Sequence, residues 1–315
     1  SSDLAAWRHG EGHARLRASN AETQLLALPL ALAMSVNVSF ILGLVFVPGL
    51  WGVVEYLFPP AMLAFLAIGT LALRQIGAFL GRVLTTRGFN CTANNSFAQV
   101  LPAFALAMTG VGLSAPAAMS ANTAVVGASV VLSSFFLVGA ILIAAAALVL
   151  GLRSLMENGA SIETAPTLTI FVPLLTVLGI LMLRQTHGLS THFDVADGGA
   201  ERLVFLSRML SAQVLFLLFG AAVMARLGYA SRFLFGGEAS AGSYALVCPG
   251  VALSVMVHFW LNKGLVDAGV VAKFSAAYWT VSAVAVAIQI ATIGLVVLLN
   301  RKHFGRPRPV PAVPA

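Results

Sequence analysis

Eight apolar stretches, each as long as a membrane-spanning helix, constrain this sequence more than any other feature. A helix needs about 20 apolar residues to cross a hydrocarbon layer roughly 30 Å thick. Only 9% of the residues are charged and 59% are hydrophobic, a balance that excludes a water-soluble domain. The apolar residues form long runs without alternation, which excludes barrel strands. The predicted spans are residues 24–46, 56–80, 97–115, 123–151, 165–184, 203–226, 242–263 and 274–299.

These spans define one transmembrane domain and leave no room for a separate soluble one. We expect residues 1–23 to form a cytoplasmic N-terminal segment, residues 24–299 a transmembrane domain of four helical hairpins, and residues 300–315 a basic, Pro-rich cytoplasmic tail. The first residue is Ser1 rather than Met, and no signal-peptide core follows it. We therefore expect the chain to begin inside a longer gene product.

Basic residues are distributed unevenly between the two sides of these spans. Cytoplasmic loops of membrane proteins are enriched in Lys and Arg. Thirteen basic residues fall on the side of both chain ends and five on the other side, so we predict cytoplasmic termini for a multi-pass protein of the cell membrane, in a bacterial inner membrane. The thirteen are Arg8, Arg15, Arg17, Arg74, Arg82, Arg87, Arg153, Arg226, Arg232, Arg301, Lys302, Arg306 and Arg308, and the five are Arg184, Arg202, Arg208, Lys263 and Lys273.

A proline lies well inside every odd-numbered span. Pro29, Pro102, Pro173 and Pro249 are separated by 73, 71 and 76 residues, a nearly constant repeat of one hairpin. A proline inside a helix removes a backbone hydrogen bond and kinks the helix, which lipid-facing backbone tolerates poorly. The repeat predicts an all-α fold of tandem hairpins, with proline-kinked inner helices around a central pore and straighter outer helices. Prolines are also generally frequent in transmembrane helices, which is the alternative explanation.

Polar side chains on the odd-numbered spans point to the same arrangement. We predict that a set of prolines and polar residues lines the pore: Pro29, Asn37, Pro102, Thr109, Thr169, Pro173, Pro249 and Ser254. Small residues beside the prolines, such as Gly110 and Gly250, would keep the axis open. On an even-numbered span, Gly77 and Gly81 predict a close helix contact.

Several functional classes lack the residues that they need. Six scattered histidines and two cysteines in different settings give no metal site, haem ligation or disulfide framework. No cluster of acids or nucleophile with a base suggests a membrane-embedded enzyme, which stays the least favoured alternative. Basic residues between the spans reflect topology rather than a nucleic-acid surface. We therefore expect no catalytic residue, cofactor, metal or nucleic-acid partner.

Three segments carry a resemblance to a known family: NSFAQVLPAFALAMTGVGLSAPAAMS, APTLTIFVPLL and SYALVCPGVALSV. With the alternating inner and outer helices, they resemble the tellurite-resistance/dicarboxylate transporter family, which includes bacterial tellurite-resistance channels and plant guard-cell anion channels. The resemblance covers nearly the whole chain. It implies a pore within each protomer, small anions such as chloride, nitrate, sulfite, tellurite or C4-dicarboxylates as permeants, and a homotrimer in bacterial members.

This chain departs from that family in two respects. The family has ten helices in five hairpins, whereas eight spans are predicted here, so one hairpin either precedes Ser1 or is absent. The family closes its pore with a phenylalanine near the last inner kink, where this chain has Leu246, Val247 and Cys248. The candidate gates are therefore other aromatic residues, for which ordinary packing is the alternative role. They are Phe104, Phe171, Phe40 and Phe259.

Few ionisable residues lie at membrane depth, where they are functional candidates. His258, Lys263 and Arg208 are candidates for anion contact or proton sensing, although Arg208 also suits an interface anchor and His258 a helix contact. Arg184 falls at the end of a predicted span. Without a fixed cation at the midplane, the sequence favours channel-like passage of a small anion. The alternative is a proton-coupled transporter of an organic or sulfur oxyanion, with His258 as the coupling group.

Overall fold

The computed structural model describes residues 10–86, 89–90 and 95–304, and the regular structure in these ranges is entirely helical. Eight segments are long and apolar enough to cross a membrane, which confirms the prediction of an all-α polytopic membrane protein. A short helix, Glu11–Arg17, precedes them. The eight are α1 (Asn20–Phe46), α2 (Leu50–Thr86), α3 (Ala98–Met119), α4 (Thr123–Asn158), α5 (Ala165–His192), α6 (Gly199–Arg226), α7 (Ala241–Val266) and α8 (Ala276–Phe304).

The predicted spans match these segments one for one, but several of the helices are longer. The largest difference that bears on function is in α5, which was predicted to end at residue 184 and continues to His192. Six of the last eight residues are polar, yet the segment packs against α3 and remains helical. The N-terminal residues 1–9, Arg87, Cys91 and most of the Pro-rich tail lie outside the described residues.

Each odd-numbered segment begins with a 3-10 turn and changes to an α-helix close to its proline. The α-helical parts begin at Ala27, Leu101, Phe171 and Val247, so each proline is the second or third α-helical residue. The first N–H groups of an α-helix have no partner within it, and a proline there costs little. All four prolines are buried. They lie at junctions between two helix types rather than in the middle of an α-helix.

Serine side chains satisfy backbone groups at the start of three of these 3-10 turns. The Oγ atoms of Ser19, Ser96 and Ser240 each accept a hydrogen bond from the backbone N–H two residues later, at 3.2, 3.3 and 3.2 Å. These bonds occupy amides that would otherwise stay unpaired near the membrane surface. The repeated unit is therefore a 3-10 turn, a proline and an α-helix, and a serine caps the turn in three of the four units.

The odd-numbered helices pack in a row in the order α1, α3, α5, α7. The even-numbered helices fill the outer grooves: α2 contacts α1 and α3, α4 contacts α3 and α5, and α6 contacts α5 and α7. The apolar window is 83% buried in α3 and 67% buried in α5, against 17% in α1 and 33% in α7. α3 and α5 therefore lie in the interior of the bundle, whereas α1 and α7 lie at the two ends of the row.

Glycines permit the closest contacts between these helices. A Cβ added to Gly112 would lie 2.2 Å from the Phe65 ring, and one added to Gly188 would lie 2.4 Å from the Ala117 carbonyl oxygen. Helices in lipid associate through such close packing because hydrocarbon gives them no hydrophobic driving force. Gly77 and Gly81 differ, because a Cβ added to either would meet no atom within 4 Å. The predicted close contact at these two glycines is therefore wrong, since both face outward on α2.

We expect Gly188→Ala to destabilise the fold, because the new methyl group would meet the backbone of α3. Overpacking of this kind costs about 1–3 kcal/mol. The matched control is Gly77→Ala, which adds the same methyl group in open space and should leave stability unchanged or slightly higher. The measurement is the midpoint of thermal denaturation in detergent. Equal midpoints for the two variants would contradict the contact between α3 and α5.

Candidate functional site

Two cavities lie toward the same end of the bundle, which carries the connections 47–49, 120–122, 193–198 and 267–275 and is called here the distal end. The first, the apolar cavity, has a volume of about 120 Å³ and lies between α1, α2, α3 and α5; its lining is Asn37, Phe40, Ile41, Leu44, Val54, Phe58, Ala61, Met62, Phe65, Gly112, Ala115, Pro116, Met119 and Arg184. The second, the basic vestibule, has a volume of about 250 Å³; its lining is Ala118, Leu183, Arg184, His187, Asp197, Arg202, Phe259 and Lys263.

Arg184 lines both cavities. It lies eight residues before the end of α5, about 12 Å along the helix from His192. Its Nη1 atom donates a hydrogen bond of 2.7 Å to the carbonyl oxygen of Val111, near the middle of α3. Within the part of the chain that the structure describes, none of the ion pairs includes Arg184. A half-buried guanidinium therefore lines two cavities, and no carboxylate among the described residues pairs with it.

The neighbouring face of α5 holds Arg184 in this position. Leu181, Gln185 and Gly188 recur at helical spacing and are all buried. The Nε2 atom of Gln185 donates to the Oγ atoms of Ser133 and Ser134 on α4, at 2.8 and 3.0 Å. These bonds and the Gly188 contact fix both the rotation and the depth of the helix.

The basic vestibule carries more positive than negative charge. Arg202 pairs with Asp197 and, at 3.2 Å, with Asp267, while Lys263 lies 3.8 Å from Asp267. With Arg184, three cations meet two carboxylates. Arg184, Arg202 and Lys263 are three of the five basic residues on the side of the membrane that is poor in them. Their convergence in one cavity attracts small anions by a simple Coulomb effect.

The end of α3, residues 115–119, forms a wall that lines both cavities. The turn after it is held from two sides. The Glu55 carboxylate on α2 accepts hydrogen bonds from the Ser120 hydroxyl and the Ala121 amide, at 2.8 and 2.5 Å. The His192 ring on α5 contacts the Ser120 carbonyl and the Thr123 hydroxyl, at 3.1 and 3.2 Å. Glu55 and His192 are therefore engaged in structural contacts.

One predicted pore-lining residue, Asn37, lines the apolar cavity. The other seven line neither cavity. Thr109 and Thr169 donate to carbonyls of their own helices, and the Ser254 hydroxyl donates to the Ala285 carbonyl on α8 at 2.9 Å. The buried prolines start their helices, as described above. A pore along these residues stays a prediction.

The four candidate gating phenylalanines separate into two pairs. Phe40 lines the apolar cavity and Phe259 the basic vestibule. Phe104 and Phe171 are buried in the core. The Phe171 ring stacks on Phe216, with centroids 4.6 Å apart, and meets Phe97 edge-on at 5.3 Å. These contacts favour a packing role for Phe171, whereas Phe40 and Phe259 are at the cavities.

The three candidate ionisable residues lie in different surroundings. Lys263 lines the basic vestibule. Arg208 is exposed on the outer face of α6, beside Glu201 and Phe205. His258 is half-buried on α7 and lines neither cavity. Among the described residues, no group of three or more His, Cys, Asp or Glu is arranged to hold a metal ion.

The sequence reasoning missed Arg184 and Arg202 as members of the site. It placed the end of a span at Arg184, where the longer helix has an interior position. The buried positions Leu181, Gln185 and Gly188 recur at helical spacing, but only Leu181 is apolar, so this face gave no apolar signal beyond residue 184. The pairing of Arg202 with Asp267 joins residues 65 positions apart, and nothing local in the sequence indicates it.

Comparisons of this chain with models of protein families, with curated proteins and with solved structures find no match.

We expect a cysteine at Ala118 to react faster with a negatively charged thiol reagent than with a positively charged one, because Ala118 lines the basic vestibule. The variant is made in a background in which Cys91 and Cys248 are replaced by Ser. The measurement is the ratio of modification rates by sulfonatoethyl and trimethylammonioethyl methanethiosulfonate, added to the non-cytoplasmic side. Val270→Cys, exposed at the same end, is the control.

The rate ratio at Ala118→Cys should exceed that at Val270→Cys several-fold and should fall when Arg202→Gln is added. Equal ratios at the two positions would contradict a positive vestibule. Reaction from the cytoplasmic side alone would reverse the predicted orientation.

Proposed function

We propose that this protein transports a small anion across the membrane and that Arg184 binds the anion on its way. Eight helices that are long and apolar enough to cross a membrane support a multi-pass membrane transporter or channel. The observation that carries the proposal is a half-buried cation, eight residues before the distal end of α5, that has no carboxylate partner among the described residues and that lines two cavities.

The cost of burying charge supports this role for Arg184. A guanidinium within a membrane protein is expensive unless a counter-charge, backbone oxygens or water compensate for the lost hydration. The Val111 carbonyl occupies Nη1 alone, and a guanidinium has five N–H donors in a planar fork. An oxyanion or a halide that enters from the basic vestibule completes this coordination. The planar fork also suits a carboxylate, nitrate or sulfite.

The vestibule supplies the route by which an anion reaches Arg184. Arg202 and Lys263 lie nearer the distal surface, and their charge is only partly neutralised by Asp197 and Asp267. Anions therefore concentrate at the entrance before they reach the half-buried guanidinium of Arg184. The arrangement favours a saturable binding step within the passage.

The resemblance to tellurite-resistance/dicarboxylate transporters supports an anion as the permeant. On the same basis we propose a homotrimer with one passage in each protomer. Channel-like flow driven by the membrane potential remains the preferred mechanism, because Arg184 lies toward the distal end of α5 rather than at the middle of the helix. His258 lines neither cavity, so its predicted role as the proton-coupling group has no specific support from the site.

Anion flux into liposomes tests the role of Arg184. Purified protein is reconstituted, and uptake of chloride, nitrate, sulfite and succinate is followed at a set membrane potential. We expect Arg184→Gln to lower the flux of the transported anion by roughly tenfold or more, because a hydrogen bond to a charged group contributes about 1.5–3 kcal/mol. Arg184→Lys should retain part of the flux, since it keeps the charge but loses the planar fork.

Arg208→Gln is the matched control, since it removes an exposed arginine at the same end of the bundle. It should leave flux within about twofold of the unmodified protein, as surface charges contribute little. A monodisperse elution profile and an unchanged melting temperature establish that each variant folds. The proposal fails if Arg184→Gln folds and transports as well as the unmodified protein, or if no anion crosses.

The vestibule charge gives a second expectation. Asp267→Asn removes a carboxylate that faces Arg202 and Lys263, so the half-saturating anion concentration should fall by about twofold to fivefold at low ionic strength. The difference should vanish near 1 M of an impermeant salt, where the Debye length is about 3 Å. Asp194→Asn is the control, because Asp194 is exposed in the same connection as Asp197 and lines neither cavity. A salt-independent effect would contradict electrostatic attraction.

A further inference from the structure

We infer that the apolar cavity binds a benzoate-sized organic monocarboxylate, with its carboxylate on Arg184 and its apolar body against Phe40, Phe58 and Phe65. The inference rests on the proposed anion-binding role of Arg184. It adds the chemical class of the ligand. The argument depends on three properties of the cavity: its lining, its size and its single positive charge.

The lining is apolar apart from Asn37 and Arg184. Both amide hydrogens of Asn37 are already donated, to the Ala33 carbonyl oxygen at 3.0 Å and to the Met108 sulfur at 3.6 Å. Arg184 is therefore the side chain in this lining with donors left for an anion. A hydrated inorganic ion would lose its water here and gain few polar contacts in return. An organic anion compensates for its lost hydration through contacts between its apolar part and the apolar lining.

The size of the cavity, about 120 Å³, suits one aromatic ring. An engineered apolar cavity of roughly 150 Å³ in another protein stays dry and takes up benzene. The rings that line this cavity are held in place: Phe58 and Phe65 are 1% and 3% exposed, and Phe65 lies directly over Gly112. An aryl group of benzoate size therefore meets a preformed aromatic surface at low ordering cost.

The single positive charge limits the ligand to one carboxylate in this cavity. A second carboxylate would be buried against aromatic and aliphatic side chains without a donor, and such a group is costly. Dicarboxylates have their second partner only in the vestibule, at Arg202 or Lys263, beyond the apolar lining. The apolar cavity should thus prefer benzoate to succinate, and benzoate to acetate, which has the same charge and little apolar surface.

Titration calorimetry on the full chain in detergent tests this preference. We expect benzoate to bind at least tenfold more tightly than acetate, succinate or chloride, as the ring is buried on binding. Ala61→Leu fills the cavity without touching Arg184 and should weaken benzoate binding about tenfold, with acetate binding unchanged. Ala67→Leu makes the same change on the exposed face of the same helix and serves as the control. Ala115→Val narrows the opposite wall, should Ala61→Leu fail to fold.

Several results would overturn the inference. The first two are equal affinities for benzoate and acetate, and tighter binding of succinate than of benzoate. The third is benzoate binding that both Ala61→Leu and Ala115→Val leave unchanged. The fourth is displacement of benzoate by laurate, which would assign the cavity to lipid acyl chains. Calorimetry and liposome flux separate this inference from the proposed function. Benzoate binding that depends on Ala61, without anion flux, supports the ligand class and rejects transport. Anion flux that depends on Arg184, without benzoate binding, supports transport and rejects the ligand class.

Discussion

The absence of water in a bilayer core is the constraint on which the structure depends. Every backbone N–H and C=O group there needs a partner within the protein, and long helices provide it residue by residue. The odd-numbered segments show how a proline fits this requirement. Each proline lies within the first three α-helical residues, directly after a 3-10 turn, where its missing N–H leaves no ladder bond unmade. The four regularly spaced prolines therefore mark the positions at which four α-helices begin.

Close contact between helices follows from the same lack of water. Lipid is as apolar as the side chains, so the helices gain from packing density and from hydrogen bonds between them. Dense packing occurs where Gly112 lies beneath Phe65 and where Gly188 lies against Ala117. Hydrogen bonds between helices join Gln185 to Ser133 and Ser134. These contacts surround α3 and α5, the most buried pair, and they hold α5 so that Arg184 lines both cavities.

The sequence was sufficient to predict the eight helices because hydropathy reports directly on burial in lipid. It also predicted the hairpin repeat through the prolines, but not their place at helix starts, because a 3-10 turn and an α-helix have similar apolar patterns. Arg184 was missed because charge was taken to end a span, whereas the helix continues through residues that pack on α3. Gly77 and Gly81 were misjudged because glycine spacing alone does not say whether a neighbouring helix is present. Contacts between distant residues, such as Arg202 with Asp267, depend on the packing of whole helices.

The short wall formed by residues 115–119 has one further consequence. Ala115, Pro116 and Met119 face the apolar cavity, and Ala118 faces the basic vestibule. Because one wall separates the two cavities, their volumes are linked. A tilt of residues 115–119 that enlarges the apolar cavity reduces the basic vestibule, and the reverse tilt does the opposite. Glu55 on α2 and His192 on α5 both hold the outer end of that wall; α2 borders the apolar cavity, and α5 borders both cavities. The volumes of the two cavities that Arg184 lines therefore depend on the position of one short segment, residues 115–119.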